Sequence, residues 1–161
     1  MAPLSVNNGQ ISIENLDIYN DGIVATGRDT TDAEVVLEDA IEWGFETFGL
    51  RRPRTILPRT YTSWIVVDFD EPIGLLFAKY DEIRRQIAKS FKDAYGQMLD
   101  FQMQRVAFNV DPQTVPQYTQ TDFTIDRRGG AAYSLNRFFC LAPLKTEAHV
   151  ALLERIEGTL K

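Results

Sequence analysis

The first part of the chain alternates apolar and polar residues in a way that predicts a β-hairpin. Residues 11–15 alternate, and residues 16–19 continue the alternation after a slip at Asn15. Asp21-Gly22 indicates a tight turn because both residues tolerate positive φ, and residues 23–26 provide the returning strand. The chain is therefore expected to open with antiparallel β-structure.

The next apolar positions recur at helical spacing and predict a helix that runs to about Phe48. Thr31 and Glu34 fit a capping box, in which each side chain bonds to the backbone amide of the other residue. Gly49 is the expected C-cap. One face of the helix is apolar and contains Ala33, Leu37, Ala40, Ile41, Gly44 and Phe48, flanked by Val36 and Phe45. The opposite face, here called the acidic helix face, contains Glu38, Asp39, Glu42 and Glu46.

A strand and a long helix are predicted in the middle of the chain, after a loop that contains two prolines. Residues 61–70 are rich in β-branched and aromatic side chains, and the apolar run over residues 65–67 favours a central strand. Glu71-Pro72 ends this strand. A helix follows over about residues 73–99, and its apolar stripe contains Leu76, Tyr80, Ile83, Ile87, Phe91, Ala94 and Met98.

More strands and a last helix are predicted in the final third of the chain. A polar loop over residues 112–119 separates two strands, and Gly129-Gly130 permits a turn before another. Thr146 introduces a helix that reaches Gly158 or Leu160. The strands are predicted over residues 102–110, 121–126 and 133–141. The apolar stripe of the helix contains Ala148, Leu152, Leu153, Ile156 and Leu160.

This order of elements, ββαβαβββα, predicts an α+β fold. Each helix has one apolar face, so three helices are expected to cover a mixed, mostly antiparallel sheet of about six strands as an α/β two-layer sandwich. The length of 161 residues fits a single globular domain over residues 1–161. If helices cover one face of the sheet, the other face needs polar residues or a partner.

Composition narrows the class of protein. Hydrophobic residues make up 44% of the chain and charged residues 25%, which excludes a disordered or collagen-like chain. The single cysteine excludes an intramolecular disulfide, and the single histidine excludes a multi-histidine metal site. No apolar run approaches the ~20 residues of a membrane span, and the N-terminus lacks a secretory signal pattern. We expect a soluble cytoplasmic protein without a membrane partner or a cofactor.

Charge is distributed unevenly along the chain. Residues 1–50 contain ten acidic residues and one arginine, whereas residues 51–161 contain thirteen acidic and sixteen basic residues. The net charge of −6 argues against nucleic acid as a partner, since that binding depends on basic residues that contact phosphates. Two groups of arginines are candidate docking or anion-binding sites, although solvated loops have the same composition. They are the arginine loop, Arg51, Arg52, Arg54 and Arg59, and the arginine turn, Arg127 and Arg128.

The strongest enzymatic candidate is a pair of carboxylates at the end of the predicted middle strand. Asp68 and Asp70 are two residues apart, so in a strand they point to the same side and could share a divalent cation. With a third carboxylate, from Asp111, Asp122 or Asp126, the pair could support two-metal phosphoryl transfer. The apolar-Asp-apolar-Asp pattern resembles a strand motif of polymerase- and primase-type nucleotidyltransferases. The same sequence is also an ordinary polar strand end.

Cys140 and His149 are expected to be structural residues. Cys140 lies in the apolar sequence of residues 138–141, where a buried cysteine behaves as a small hydrophobic residue. His149 falls at the edge of the apolar stripe of the last helix, and we expect it to be partly buried there. Catalysis by His149 would need a nucleophile or a second histidine, and the sequence indicates neither.

Incomplete catalytic patterns favour a non-catalytic protein that acts by self-association or as a subunit of a larger assembly. In this hypothesis the acidic helix face of one copy contacts the arginine loop or the arginine turn of another, and the heterologous contact forms a ring or a filament. The partner is then the protein itself, as a homo-oligomer, or another protein. Two alternatives remain open. One is a metal-dependent nucleotidyl- or phosphoryl-transfer enzyme that uses Asp68 and Asp70, and the other is a module that binds a small anion or a peptide through clustered arginines.

Overall fold

The computed structural model describes residues 4–6, 9–49, 51–54, 58–111, 113–114 and 122–161. The strands within these residues are β1 Leu4–Val6, β2 Gly9–Ile11, β3 Ile13–Ile18, β4 Ile23–Gly27, β5 Ser63–Asp68, β6 Arg105–Phe108, β7 Phe123–Arg127 and β8 Arg137–Ala142. The α-helices are α1 Thr30–Phe48, α2 Asp81–Tyr95 and α3 Thr146–Gly158, and 3-10 helices cover Ile73–Tyr80 and Tyr133–Leu135. Among these described helices, none has the length and apolar character that a bilayer crossing requires.

The chain divides into two compact units. The first, which we call the hairpin unit, contains residues 1–63 and 143–148. The second, which we call the sheet unit, contains residues 64–142 and 149–161. The expectation of one domain over residues 1–161 stays a prediction.

The hairpin unit contains two antiparallel hairpins. β3 pairs with β4 as predicted, and the N–H of Tyr19 donates to the carbonyl oxygen of Gly22 across the turn (2.8 Å). The register shifts between Ile13 and Asn15, close to the slip in the sequence alternation. The hairpin of β1 and β2 is an addition to the predicted elements.

Helix α1 begins earlier than the predicted capping box requires. Asp29 is the N-cap, and its carboxylate accepts a hydrogen bond from the N–H of Thr31 (2.6 Å). The predicted capping box is therefore wrong, because Thr31 lies inside the first turn and Glu34 bonds to other side chains. Gly49 ends the helix in the left-handed region, with φ 61°, as predicted. The buried side chain of α1 is Val36, which the sequence places beside the apolar stripe.

The sheet unit contains a four-stranded sheet in the order β5-β8-β7-β6. In this sheet β7 is antiparallel to both of its neighbours, and Ile125 lies opposite Cys140 on one side and Val106 on the other. β5 lies at an edge, so the prediction of a central strand for residues 65–67 is wrong. Val66 remains 44% exposed, so one face of β5 is open to solvent. A run of apolar residues therefore does not show that both faces of a strand are buried.

The fold class is α+β, as predicted, and all six predicted strands are present. They are divided between the β3–β4 hairpin and the four-stranded sheet instead of forming one sheet. Every pair with an assigned register is antiparallel. The sequence shows which segments become strands, but the choice of neighbour depends on contacts between distant residues.

The core of the sheet unit combines the sheet with α3 and the segment after β5. Alternate residues of β8, Phe138 and Cys140, are buried in this core, and Leu153 of α3 is buried with them. The buried members of the cluster are Phe69, Ile73, Ile125, Phe138, Cys140 and Leu153. α3 follows its predicted bounds, whereas Ala148 of its predicted stripe is exposed.

The segment predicted as one helix over residues 73–99 contains two helices. A 3-10 helix over Ile73–Tyr80 precedes α2, and the i, i+3 spacing that both helix types share does not separate them in a sequence. α2 ends before the predicted boundary, where Gly96 adopts φ 72° and its N–H donates to the carbonyl oxygen of Lys92 (2.7 Å).

The predicted apolar stripe of α2 is incompletely covered. Ile83 and Ile87 lie on this stripe, yet they are 53% and 46% exposed. Ala88 is the buried side chain of α2. This helix therefore leaves apolar surface open on the sheet unit.

The strand predicted over residues 133–141 begins later, at Arg137, because a 3-10 turn precedes it. Asn136 ends that turn with φ 47°, and its side-chain amide donates to the carbonyl oxygens of Phe69 (2.8 Å) and Glu71 (2.6 Å). These bonds hold the end of β5 beside the start of β8. Of the polar loop predicted over residues 112–119, all but 113–114 lie outside the described residues.

Candidate functional site

The acidic helix face and the arginine loop pair with each other within one chain. Arg59 donates to Glu38 (2.7 Å), and Arg52 donates to Glu42. The guanidinium of Arg52 also lies over the ring of Phe45, 4.9 Å from its centre. Two of the arginines assigned to a contact with another copy therefore meet acids of their own chain. The members that form no ion pair with a described residue are Asp39, Glu46, Arg51 and Arg54.

Glu34, predicted as a capping residue, is the centre of a polar cluster in the hairpin unit. Its carboxylate accepts hydrogen bonds from Lys145 (2.5 Å), from the Tyr61 hydroxyl (2.5 Å) and from Arg59 (3.3 Å). The bond from Lys145, followed by the bond from Tyr61, lowers the pKa of Glu34 below its ordinary value. Lys145 is 111 residues from Glu34 in the sequence, so no local pattern indicates this cluster.

The structure does not assemble ligands around the proposed metal-binding pair. Both carboxylate oxygens of Asp68 accept hydrogen bonds from Arg137, at 2.6 Å each, and this contact lowers the pKa of Asp68. Asp70 lies beyond the end of β5, so the strand periodicity behind the hypothesis does not extend to it. Asp126 pairs with Arg105 (3.4 Å). Across the described part of the chain, no three His, Cys, Asp or Glu side chains form a group that could hold a metal ion.

Cys140 and His149 are both fully buried in the sheet unit. Burial, with a smaller contribution from the charge of Asp126, raises the pKa of the Cys140 thiol to about 12. Burial also lowers the pKa of His149, whose ring packs edge-on against Phe123 with 6.2 Å between ring centres. His149 is more deeply buried than the sequence predicts, because it faces the sheet from the first turn of α3.

The face of the sheet opposite the core carries exposed apolar side chains. Ile65 and Val67 pack against the core cluster, so the alternation of a strand places their neighbours on the other face. There the Trp64 ring stacks on the Phe139 ring of β8, with 6.0 Å between centres, and remains 60% exposed. We call this surface, defined by Trp64, Val66 and Phe139, the open sheet face. The ion pairs Asp68–Arg137 and Asp126–Arg105 lie on the same face.

The two residues of the arginine turn have different environments. Arg128 is exposed, and its backbone N–H donates to the carbonyl oxygen of Arg137 (2.9 Å). Arg127 is half-buried and lines a cavity of the sheet unit. The sequence treats the pair as one basic turn, whereas in the structure Arg127 is the last residue of β7 and Arg128 lies beyond the strand.

No protein-family model matches this chain, no curated protein matches it in sequence, and no solved structure matches it in fold. The α+β fold, the cavity and the open sheet face are therefore the basis for the functional proposals.

Proposed function

We propose that the protein acts without catalysis, by associating with further copies of itself through β5 and the open sheet face. The observation that supports this proposal is an edge strand with exposed apolar side chains. Trp64 is 60% and Val66 44% exposed on β5. Exposed apolar surface on a sheet is typical of a protein interface.

The edge of β5 has the properties of a strand that pairs with another strand. Edge strands present unpaired N–H and C=O groups, and proteins that avoid pairing protect them with lysine, proline or a bulge. Residues 64–67 contain only Trp, Ile and Val, all with high β-propensity. Among the described strands, β5 has a neighbour on one side only, β8.

A second copy of the chain fits this edge because antiparallel pairing of a strand with itself is self-complementary about a two-fold axis. If Val66 of one copy faces Val66 of the second copy, Trp64 lies opposite Asp68. Residues of equal parity then face each other, so Ile65 and Val67 stay on the core side of the joined sheet. The two open sheet faces would then lie side by side, with the Val66 side chains of both copies at the centre.

The ion pairs within the chain argue for this apolar contact over the contact between charges that the sequence favours. A contact between the acidic helix face and a second copy's arginine loop would first have to break Arg52–Glu42 and Arg59–Glu38. Exposed ion pairs contribute only about 0–1 kcal/mol and are screened by salt. Association through β5 uses apolar side chains and backbone groups, which salt does not screen, so it is expected to persist at high ionic strength.

The test is the molar mass of the full chain by light scattering, at low and high salt and over a range of concentrations. We expect a mass above the 18.3 kDa of one chain at both salt concentrations. Val66→Lys puts a charge on the edge strand at an exposed position and should return the mass to that of a monomer. Val150→Lys is the matched control, because Val150 is 40% exposed and belongs to α3 instead of β5.

Two results would contradict the proposal. A monomer at every concentration and both salt concentrations would show that β5 does not pair. An oligomer that dissociates at high salt, and that Val66→Lys leaves intact, would favour the contact between the acidic helix face and the arginine loop instead.

A further inference from the structure

The sheet unit contains a cavity of about 250 Å³. Helix α2 and the 3-10 helix before it line one side, and β6 and β7 contribute to the other. Ile83 and Ile87 of α2 border this space, which explains why these residues of the apolar stripe are exposed instead of packed on the sheet. Further apolar lining comes from Phe101, Met103, Ile125 and Phe138.

Arg127, the last residue of β7, is the charged group that distinguishes this cavity. Its guanidinium carbon lies 4.4 Å from the centre of the Tyr133 ring and 4.6 Å from that of Phe138. Its Nη1 donates to the carbonyl oxygen of Tyr133 (3.3 Å), whereas its buried Nε has no hydrogen-bond acceptor. The two rings stabilise the cation in part, but a half-buried charge without a counter-ion still costs free energy.

The other charged residues that line the cavity are already paired. Arg84 contacts Asp81 (3.6 Å), and Arg105 contacts Asp126 (3.4 Å). Within the described residues Arg127 has no carboxylate partner, so one positive charge in the lining remains uncompensated.

A neighbouring residue shows that an arginine of this sheet pairs with a carboxylate. Arg137 uses Nε and Nη2 to donate to the two oxygens of Asp68, at 2.6 Å each. This two-bond contact is the preferred geometry between arginine and a carboxylate. A phosphate, which carries ~1.5–2 negative charges, would need more cations than this cavity leaves unpaired.

We propose that the cavity binds a small monocarboxylic acid with a compact apolar body, and that Arg127 recognises its carboxylate. An apolar cavity of about 150 Å³ holds benzene, so this cavity has room for roughly ten non-hydrogen atoms. An aromatic ring with a short acid side chain has that size. The site does not involve the β5 edge and does not depend on the proposed self-association.

The experiment uses three probes that separate charge from apolar body. Phenylacetate and phenylacetamide have the same number of non-hydrogen atoms, and only the first is charged, whereas acetate has the charge without the ring. Titration calorimetry on the full chain should show phenylacetate binding at least about tenfold tighter than either of the other two. Phenylacetate should also raise the melting temperature, because it binds only the folded state.

Arg127→Leu removes the charge, and Arg128→Leu is the matched control at the exposed neighbour. Arg127→Leu should bind phenylacetate and phenylacetamide about equally, while Arg128→Leu should keep the wild-type preference. Because Arg127→Leu removes a half-buried charge that has no counter-ion, we expect this variant to fold. If it does not fold, Arg127→Lys is the second variant, because it retains the positive charge but loses the planar guanidinium. Arg127→Lys should weaken the binding of phenylacetate more than the binding of phenylacetamide.

Absence of phenylacetate binding to the folded wild-type chain would overturn the proposal. Equal affinities of the wild type for phenylacetate and phenylacetamide would overturn it too, and so would an unchanged preference in the folded Arg127 variant. None of these outcomes depends on whether the protein is a monomer or an oligomer.

Discussion

At the scale of single residues, charged side chains of this chain find partners that sequence spacing does not indicate. Glu34 accepts hydrogen bonds from three side chains, and Asp68 accepts two from Arg137. The sequence predicts that Glu34 caps a helix and that Asp68 could bind a metal ion. In the structure each carboxylate instead forms hydrogen bonds with side chains that are distant in sequence. A residue's type indicates what it can bind, whereas the fold decides what lies within reach.

The cluster around Glu34 predicts a stability difference that depends on pH. Because its pKa is lowered in the folded state, Glu34 stabilises the protein above the unfolded pKa, and this contribution is lost as pH falls through the folded pKa. Glu34→Gln should lower the melting temperature near neutral pH more than Glu38→Gln, the control with a single ion pair. Thermal unfolding followed by circular dichroism at several pH values checks this. The prediction would be wrong if the difference in melting temperature between Glu34→Gln and the wild type stayed constant as the pH falls to acidic values.

Cys140 predicts a thiol that does not react in the folded protein. Burial raises its pKa to about 12, so little thiolate forms at mildly alkaline pH. The raised pKa also means that stability is lost as pH rises from the ordinary thiol range toward about 12. Labelling by a thiol-specific chromogenic reagent should be slow in the native protein and fast in urea. Similar rates in both conditions would show that the β8 core opens readily.

At the scale of elements, helix ends depend on backbone conformations that particular residues permit. Gly49 and Gly96 end α1 and α2 with φ 61° and 72°, in the left-handed region that glycine enters without steric cost. The sequence predicts the first of these ends. It misses the second, because Met98 and Leu99 continue the apolar spacing beyond the helix.

Two glycines of the sheet unit offer a matched pair of substitutions. An added Cβ would meet no atom within 4 Å at Gly74 or at Gly96, and only Gly96 has positive φ. Gly96→Ala should therefore destabilise the protein by about 1 kcal/mol through backbone strain alone. Gly74→Ala should stabilise it by ~0.4–1 kcal/mol, because alanine restricts the unfolded chain. The urea midpoints of the two variants should move in opposite directions, and a shift in the same direction would contradict this.

At the scale of the whole molecule, the two compact units are not two consecutive stretches of chain. Residues 143–148 belong to the hairpin unit, although residues 64–142 and 149–161 form the sheet unit. Helix α3, Thr146–Gly158, therefore contributes residues to both units. A helix forms cooperatively, so unfolding of one unit should affect the other.

This arrangement predicts a single unfolding transition. Trp43 lies in α1 of the hairpin unit and Trp64 in β5 of the sheet unit, so each unit has its own fluorescent probe. Urea unfolding of Trp43→Phe and Trp64→Phe should give fluorescence midpoints that each coincide with the far-ultraviolet circular dichroism of the same variant. Separate midpoints within a variant would show that the units unfold independently and that residues 1–161 are not one domain.

The sequence predicts the secondary-structure elements well, but it does not predict which strands lie next to each other. The α+β class, the six strands and the bounds of α1 and α3 follow from residue periodicity, turn dipeptides and caps. The position of β5 at an edge does not follow, because a run of apolar residues fits a central strand and an exposed edge equally well. The candidate sites divide in the same way: the sequence singles out Arg127 as a possible anion ligand, but the cavity beside it needs α2, β6 and β7 together.

Local structure, charge distribution and the exclusion of an intramolecular disulfide therefore follow from the amino-acid sequence alone. These properties depend on residues close in sequence or on composition alone. The pairing of Glu34 with Lys145 and of Asp68 with Arg137, and the place of Arg127 in the lining of a cavity, depend on the tertiary fold. Such contacts join residues far apart in the chain, and they form only where packing of the apolar faces brings them together.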